Sequence, residues 1–226
     1  MVIYTNVWTV DSSATRSTYG SIAYYTEKNF DAVAVFTKGH ASEYICASGQ
    51  PKHRYLMDTN GLHVEDTYIY ANTPNGRHRF ACIWPCGTSQ NYPGQYCSSC
   101  GYTTSLAYAW TRSNSMATEA YTSTTDSYVY LSHEGYSPQF LNPTGYSSYN
   151  YGHFVYYLYL YLLQYHYNIR DAADMAAYYT LGNSYLPSTQ LYTLRTVDPP
   201  DGPNLVLPPM SSRMHIYGNG NLGVPS

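Results

Sequence analysis

The chain has 226 residues, a formal net charge of −3 at pH 7 and a charged fraction of 11%. This length suits one ample domain, and we expect a single domain over residues 1–226 with a partly irregular tail from about residue 198. The charged fraction is far below the roughly 25% of ordinary globular proteins and leaves no basic surface, so nucleic acid is excluded as a partner.

The apolar segments are too short for the chain to cross a membrane. The longest unbroken apolar run, Phe154 to Leu163, falls well short of the ~20 residues that span a bilayer. No cationic start followed by an apolar stretch opens the chain, so we expect no signal peptide. The sequence therefore predicts no transmembrane segment.

Tyrosine is the unusual component, with 30 Tyr against 5 Phe and 3 Trp. Tyrosine combines a large apolar area with a polar hydroxyl, so it can cover a surface and keep it wettable. A tyrosine-rich surface with little charge is uncommon in the cytoplasm, where net charge keeps proteins apart. The composition favours an extracellular or cell-surface protein that packs against its own copies, although a lineage-specific composition explains it equally well.

Strands and helices alternate in the first part of the chain. The segment Val2–Thr9 is β-branched and aromatic, which predicts a strand. Ser12 or Ser13 is positioned to cap a helix that runs to about Lys28. Asp31–Thr37 is a short continuous apolar run, typical of a strand that is covered on both faces.

A hairpin and a second buried strand follow. The pair Asn60-Gly61 stands between short apolar segments at 55–57 and 62–64, which predicts a tight turn between two strands. Arg79–Trp84 has the composition of another strand covered on both faces. Thr88–Tyr102 is rich in Gly, Ser and Cys, and we expect a loop there.

The rest of the chain predicts one further strand, two helices and a final strand pair. In chain order they are Ser127–Leu131, a buried helix over Tyr149–Tyr165, a helix over Ile169–Leu181 closed by Gly182, and strands at Leu191–Thr196 and Arg213–Tyr217. Alternating β and α elements indicate an α/β fold with a mostly parallel sheet and helices on both faces.

Chemically active side chains follow two of these strands. His40 comes after Asp31–Thr37, and Cys86 comes after Arg79–Trp84. Parallel neighbours share their carboxyl ends, so a His and a Cys at these ends would form a base and a nucleophile. Backbone N–H groups around Gly39 and Gly87 could stabilise an oxyanion. A lone Cys after a buried strand is also often a small core residue, and that alternative stays open.

The blocks VAVFTKGH and FACIWPCG resemble the caspase–gingipain–clostripain–legumain group of cysteine peptidases. The resemblance extends loosely over residues 1–220 and is specific only in these two blocks. It implies a caspase-like three-layer α/β/α sandwich whose first strand is missing here, and a catalytic dyad of His40 and Cys86. It also implies that Asp31–Thr37 and Arg79–Trp84 are adjacent parallel strands and that Ser127–Leu131 lies beyond Arg79–Trp84. It also places Trp110, Arg112 and Glu134 on loops that would bind a peptide or protein substrate.

Two features depart from this family pattern. Gly39 precedes the His, where the family has a Gly after it, and Pro85 stands before the Cys, where a small or polar residue is common. These departures are compatible with an inactive relative. The alternative function is a non-enzymatic surface or assembly protein on the same fold, with a homo-oligomer formed through the open sheet edge.

The remaining cysteines predict disulfides and no metal site. A four-thiolate zinc site would need Cys82 and Cys86 on one ion, but in a strand their Cα atoms would stand about 13 Å apart. Cys97 and Cys100 are instead disulfide candidates, with each other or with Cys46. We expect no cofactor. The other histidines have no metal-ligand spacing and are expected to be surface or packing residues: His53, His63, His78, His153, His166 and His215.

Overall fold

A computed structural model describes residues 13–45, 52–89, 94–113, 126–135, 137, 151–180 and 212–223. The described residues belong to two compact units. The first contains those up to 113 together with Tyr130–Ser132, and the second contains 126–129 and those from 133 onwards. Helices combine with a mixed sheet whose strands are mostly parallel, so the α/β class predicted from the sequence is confirmed. The single-domain expectation stays a prediction.

The elements are numbered in chain order. The first unit contains α1 (Arg16–Asn29), β1 (Val33–Thr37), β2 (Ala41–Ile45), β3 (Lys52–Met57), β4 (His63–Glu65), α2 (Asp66–Asn72), β5 (His78–Ile83), β6 (Gln95–Cys97), β7 (Tyr102–Thr104) and α3 (Leu106–Thr111). Strand β8 (Val129–Gly135) contributes residues to both units, and the second unit contains α4 (Tyr151–Leu163), α5 (Ile169–Thr180) and β9 (Ser212–Gly218).

The largest sheet has the strand order β1-β5-β8-β9. Strands β1 and β5 are parallel, with Val35 opposite Ala81 and Thr37 opposite Ile83. The predicted adjacency of these two parallel strands is therefore confirmed, and so is the place of the third predicted strand beyond β5. The predicted strands Val2–Thr9 and Leu191–Thr196 lie outside the described residues, as does the predicted helix cap at residue 182.

Burial differs sharply between the two parallel strands. In β5 the residues from Phe80 to Ile83 are all buried, as its continuous apolar run predicts. In β1, however, Ala34 and Phe36 are exposed, so the prediction that this strand is covered on both faces is wrong. Ala34 and Phe36 stand two positions apart and so share one face of β1, and it is this face that meets solvent.

Helix α1 confirms the predicted helix but not its cap. Its N-cap is Thr15, whose hydroxyl oxygen accepts the N–H of Thr18 at 3.3 Å, rather than Ser13. Ser12 lies outside the described residues. The buried residues of the helix are Gly20, Ala23 and Glu27, which recur at helical spacing and include two small residues that permit close packing.

The hairpin predicted around Asn60-Gly61 is present. Strands β3 and β4 pair antiparallel, with Leu56 opposite Val64. The Asp58 carboxylate accepts the N–H groups of Asn60 and Leu62 at 2.8 and 2.7 Å, and this fixes the turn. Strand β2 extends the hairpin into an antiparallel sheet of order β2-β3-β4.

The loop prediction for residues 88–102 is wrong in its second half. Residues 95–97 form β6, which pairs antiparallel with β7 at 102–104. These strands are short and carry polar side chains, so they lack the apolar alternation that reveals a strand in a sequence. Cross-strand pairing creates them, and the turn between them contains Gly101 at a φ of 62°.

Among its described residues, the second unit contains two helices and β9, and the helices end close to where the sequence predicts. The prediction that the first of them, α4, is buried all round is wrong. Its residues Phe154, Leu158 and Leu162 are buried at spacings of four, whereas Tyr156 is 59% and Leu163 47% exposed. The side of α4 that carries Tyr156 therefore meets solvent.

Candidate functional site

The two predicted dyad residues follow the carboxyl ends of β1 and β5. His40 lies exposed between β1 and β2, and its carbonyl accepts the N–H of Met57 at 2.9 Å. Cys86 is half-buried in the turn after β5 and is not part of a disulfide. Because β1 and β5 are adjacent and parallel, both residues leave the same end of the sheet. Their catalytic role stays a prediction.

Hydrogen bonds hold the turn that carries Cys86 in place. The Thr88 hydroxyl donates to the carbonyls of Ile83 and Pro85 at 2.9 and 2.8 Å. The Tyr130 hydroxyl, from β8, donates to the Thr88 carbonyl at 2.8 Å. All of these groups are buried. The position of Cys86 is therefore set by the fold.

Backbone and charge around the two residues are compatible with thiol chemistry. Among the described residues, a Cβ placed on Gly39 would meet the Met57 carbonyl oxygen at 3.9 Å, which is an ordinary van der Waals contact. Gly87 has a φ of 66°, in the region that favours glycine. Desolvation lowers the pKa of Lys38, while the nearby Cys86 opposes that effect. Lys38 and Cys86 therefore lie within electrostatic reach of each other.

The predicted substrate-binding residues Trp110 and Arg112 take part in internal packing. Trp110 is 2% exposed and contacts the His78 ring edge-to-face with centroids 5.0 Å apart. The Arg112 guanidinium lies over the Tyr70 ring and donates to the carbonyls of Thr73, at 2.7 Å, and Tyr70. This placement favours a structural role for both residues.

Two further candidates cannot be placed by their side chains. Glu134 belongs to β8, so the predicted strand extends past Leu131 to Gly135. The side chain of Glu134 and the whole of Cys46 lie outside the described residues. In this structure Cys97 and Cys100 are not bonded to each other, and the predicted disulfides, between them or with Cys46, stay predictions.

Cys97 and Cys100 instead converge on a histidine that the sequence analysis treated as an ordinary residue. The sulfur atoms of both cysteines and a ring nitrogen of His53 all lie within 4.8 Å of one another. The Cys100 sulfur is 3.4 Å from His53 Nε2. The other ring nitrogen, Nδ1, lies 3.0 Å from a carboxylate oxygen of Asp66. We call His53, Cys97 and Cys100 the sulfur–imidazole cluster.

Burial separates the members of this cluster. His53, Cys97 and Asp66 are fully buried, and Cys100 is exposed. Burial raises the pKa of the Asp66 carboxyl, although the hydrogen bond to His53 and the N–H groups of Thr67 and Ser105 lower it in part. As a possible zinc site, the Cys-x-x-Cys pair was considered only together with Cys82 and Cys86, so the sequence did not predict this cluster. The available signal was this pair followed by Gly101.

Comparison of the chain with protein-family models, with curated proteins and with solved structures gave no match. Within the described residues, none of the helices combines the length and the apolar character needed to cross a membrane. The functional interpretation therefore rests on the residues and their geometry.

Proposed function

We propose that the chain is a cysteine-endopeptidase-like protein that hydrolyses peptide bonds through Cys86 and His40. The observation that carries the proposal is the parallel pairing of β1 with β5, since it brings the residues after both strands to one end of the sheet. The resemblance of the two sequence blocks to the caspase–gingipain–clostripain–legumain group supports the same interpretation. A three-layer, caspase-like arrangement is part of this proposal.

Each residue has a defined role in the proposed reaction. The His40 imidazole takes the proton of the Cys86 thiol, and the thiolate attacks the carbonyl carbon of the scissile peptide. The backbone N–H groups of Gly39 and Gly87 donate to the oxyanion that forms. His40 then gives the proton to the leaving amine, and water hydrolyses the thioester.

Labelling with a peptidyl thiol-reactive probe tests this proposal. We expect the probe to modify Cys86 in the intact chain and to lose at least about tenfold in rate when His40 is replaced by Ala, because the base no longer assists. Cys86→Ala should abolish that labelling, and Cys100→Ser is the matched control because Cys100 is an exposed thiol elsewhere. Equal labelling of Cys86→Ala and the unchanged chain would refute the proposal.

The second candidate function is a non-enzymatic extracellular or cell-surface protein that self-associates. It is favoured by the aromatic surface of the second unit, where Tyr157 and Tyr179 stack with ring centroids 4.7 Å apart. Around this pair, Tyr156 is 59% and Tyr165 53% exposed. Tyrosine rings are apolar but end in a polar hydroxyl, so this surface can form a contact and can also face water. The proposed partner of the surface is a second copy of this chain.

Sedimentation analysis over a range of concentrations tests this second candidate. We expect oligomers whose dissociation constant rises when Tyr156 and Tyr179 are both replaced by Ser. The matched control replaces Tyr24 and Tyr25, which are 49% and 50% exposed on α1 of the first unit. Monomers at every concentration, or equal effects of the two double variants, would contradict the proposed surface.

A further inference from the structure

We infer that His53, Cys97 and Cys100 bind a zinc ion, with Asp66 holding the histidine ring in the orientation that binding requires. Two thiolates and an imidazole are ligands that Zn²⁺ prefers, and this set is distinct from the His40 and Cys86 pair. The inference does not depend on the proposed peptidase function. The donor distances, the orientation of the histidine ring and the turn that carries the cysteines each support it.

The distances match those of a tetrahedral zinc centre. With Zn–S near 2.3 Å and Zn–N near 2.05 Å, a tetrahedral angle places sulfur and nitrogen about 3.6 Å apart. Cys100 Sγ and His53 Nε2 are 3.4 Å apart. All three donor atoms lie within 4.8 Å of one another, so small side-chain rotations bring them onto one ion.

The histidine ring is positioned from two directions. Asp66 Oδ1 lies 3.0 Å from Nδ1, so an ionised carboxylate accepts the Nδ1 proton and leaves the Nε2 lone pair directed to the sulfur atoms. The Tyr44 ring stacks on the His53 ring at 4.7 Å, with planes 11° apart. A carboxylate behind a histidine is the usual outer partner of a zinc-bound imidazole.

The two cysteines belong to a tight turn that suits chelation. Cys97 ends β6, the Cys100 N–H donates to the Cys97 carbonyl at 3.3 Å, and Gly101 then adopts a φ of 62° before β7 begins. A Cys-x-x-Cys pair at such a turn brings both sulfur atoms to one side. Residue identity, spacing and turn geometry therefore agree.

The ion would join two sheets of the first unit. His53 belongs to β3, and the cysteines belong to the β6–β7 hairpin, which buries few apolar side chains of its own. Binding converts the two thiols to thiolates, and their protons pass to solvent. Among the described residues, His53, Cys97 and Cys100 converge, and together they would supply three of the four ligands of a tetrahedral ion.

Metal analysis of the full reduced chain tests the inference. We expect about one zinc ion per chain, and substitution by Co²⁺ should give thiolate-to-cobalt charge transfer and the intense visible bands of a tetrahedral site. Cys100→Ser should weaken the affinity by more than about 100-fold, because a ligand is lost, and Asp66→Asn by about 10–100-fold. Cys100 is exposed, so its variant is expected to fold without metal.

Cys86→Ser is the matched control, since it removes a thiol that lies outside the cluster. It should retain zinc with unchanged affinity and unchanged cobalt bands. The inference is overturned if the reduced chain binds no zinc in competition with a chelator, or if Cys86→Ser loses the metal while Cys100→Ser keeps it. A Cys97–Cys100 disulfide that forms in preference to zinc binding would also overturn it.

Discussion

Two Cys and His groupings in the first unit differ in how they are built. His40 and Cys86 lie after two parallel strands, with His40 exposed and Cys86 half-buried. In the sulfur–imidazole cluster, by contrast, His53 and Cys97 are fully buried and Asp66 holds the His53 ring. The first grouping is defined by strand ends, and the second by side chains that contact one another.

This difference separates two kinds of functional geometry. Strand ends place residues in the same region, but loops and substrate complete the site, as is common in open α/β sheets. A buried imidazole on a carboxylate is already oriented before any ligand binds. We therefore expect the strand-end pair to tolerate substitution without loss of fold, and the cluster to support the fold itself.

The largest expected effect comes from His53→Ala. This change leaves the Asp66 carboxylate buried beside a void, and we expect a loss of about 3–5 kcal/mol in the free energy of unfolding, as for a broken buried pair. His40→Ala is the matched control, because His40 is exposed and should cost less than about 0.5 kcal/mol. Urea unfolding measures both, and equal losses would contradict the comparison.

Strand β5, which precedes Cys86, is held at its amino-terminal end by contacts with Glu27, which we call the Glu27 anchor. Buried Glu27 of α1 accepts the N–H groups of Asn75 and Arg77 at 2.8 and 2.7 Å, and contacts His78 Nδ1 at 2.8 Å. Glu27→Gln should cost about 2–3 kcal/mol in unfolding free energy, since hydrogen bonds to a charged acceptor are the strong ones. Thermal unfolding checks this value, and a loss below 0.5 kcal/mol (about the effect of a surface substitution) would contradict the anchor.

The same anchor predicts a pH dependence. Burial alone would raise the pKa of Glu27, but hydrogen bonds from His78, Arg77 and Asn75 outweigh it and lower the pKa. A carboxyl with a lowered pKa in the folded state contributes stability that is complete above its unfolded pKa and is lost as pH falls through the folded value. The unchanged chain should therefore lose more stability below about pH 4 than Glu27→Gln does. If the unchanged chain and Glu27→Gln lose stability identically as the pH falls, Glu27 does not have this role.

A smaller effect is expected at Arg112, a predicted substrate-binding residue that the structure packs against carbonyl groups. Arg112→Lys keeps the charge but cannot reproduce the paired contacts with Thr73 and Tyr70, so we expect a loss of about 1 kcal/mol. If Arg112 instead binds substrate, the variant should keep its stability and lose peptide affinity. Unfolding and peptide-binding measurements on the same variant distinguish the two roles.

The sequence was sufficient for the elements with a strong local signal. The continuous apolar run of β5 predicted a buried strand, and Asn60-Gly61 predicted the β3–β4 hairpin. Gly61 has a φ of 74°, a conformation that suits glycine, so the local sequence directly encodes this turn. The parallel adjacency of β1 and β5 was implied by the resemblance of the two sequence blocks to the peptidase group, and the structure has that pairing.

Which side chains come into contact depends on the tertiary structure. His53 and Cys97 are 44 positions apart in sequence, and neither the spacing nor the composition indicates that they converge. The β6–β7 hairpin, too weak in apolar pattern to be predicted, brings the cysteines to β3. Local sequence encodes backbone preference, whereas a site of this kind depends on contacts between distant segments. Likewise, the exposure of Ala34 and Phe36 depends on what packs over that face of β1, which the apolar residues of the strand do not encode.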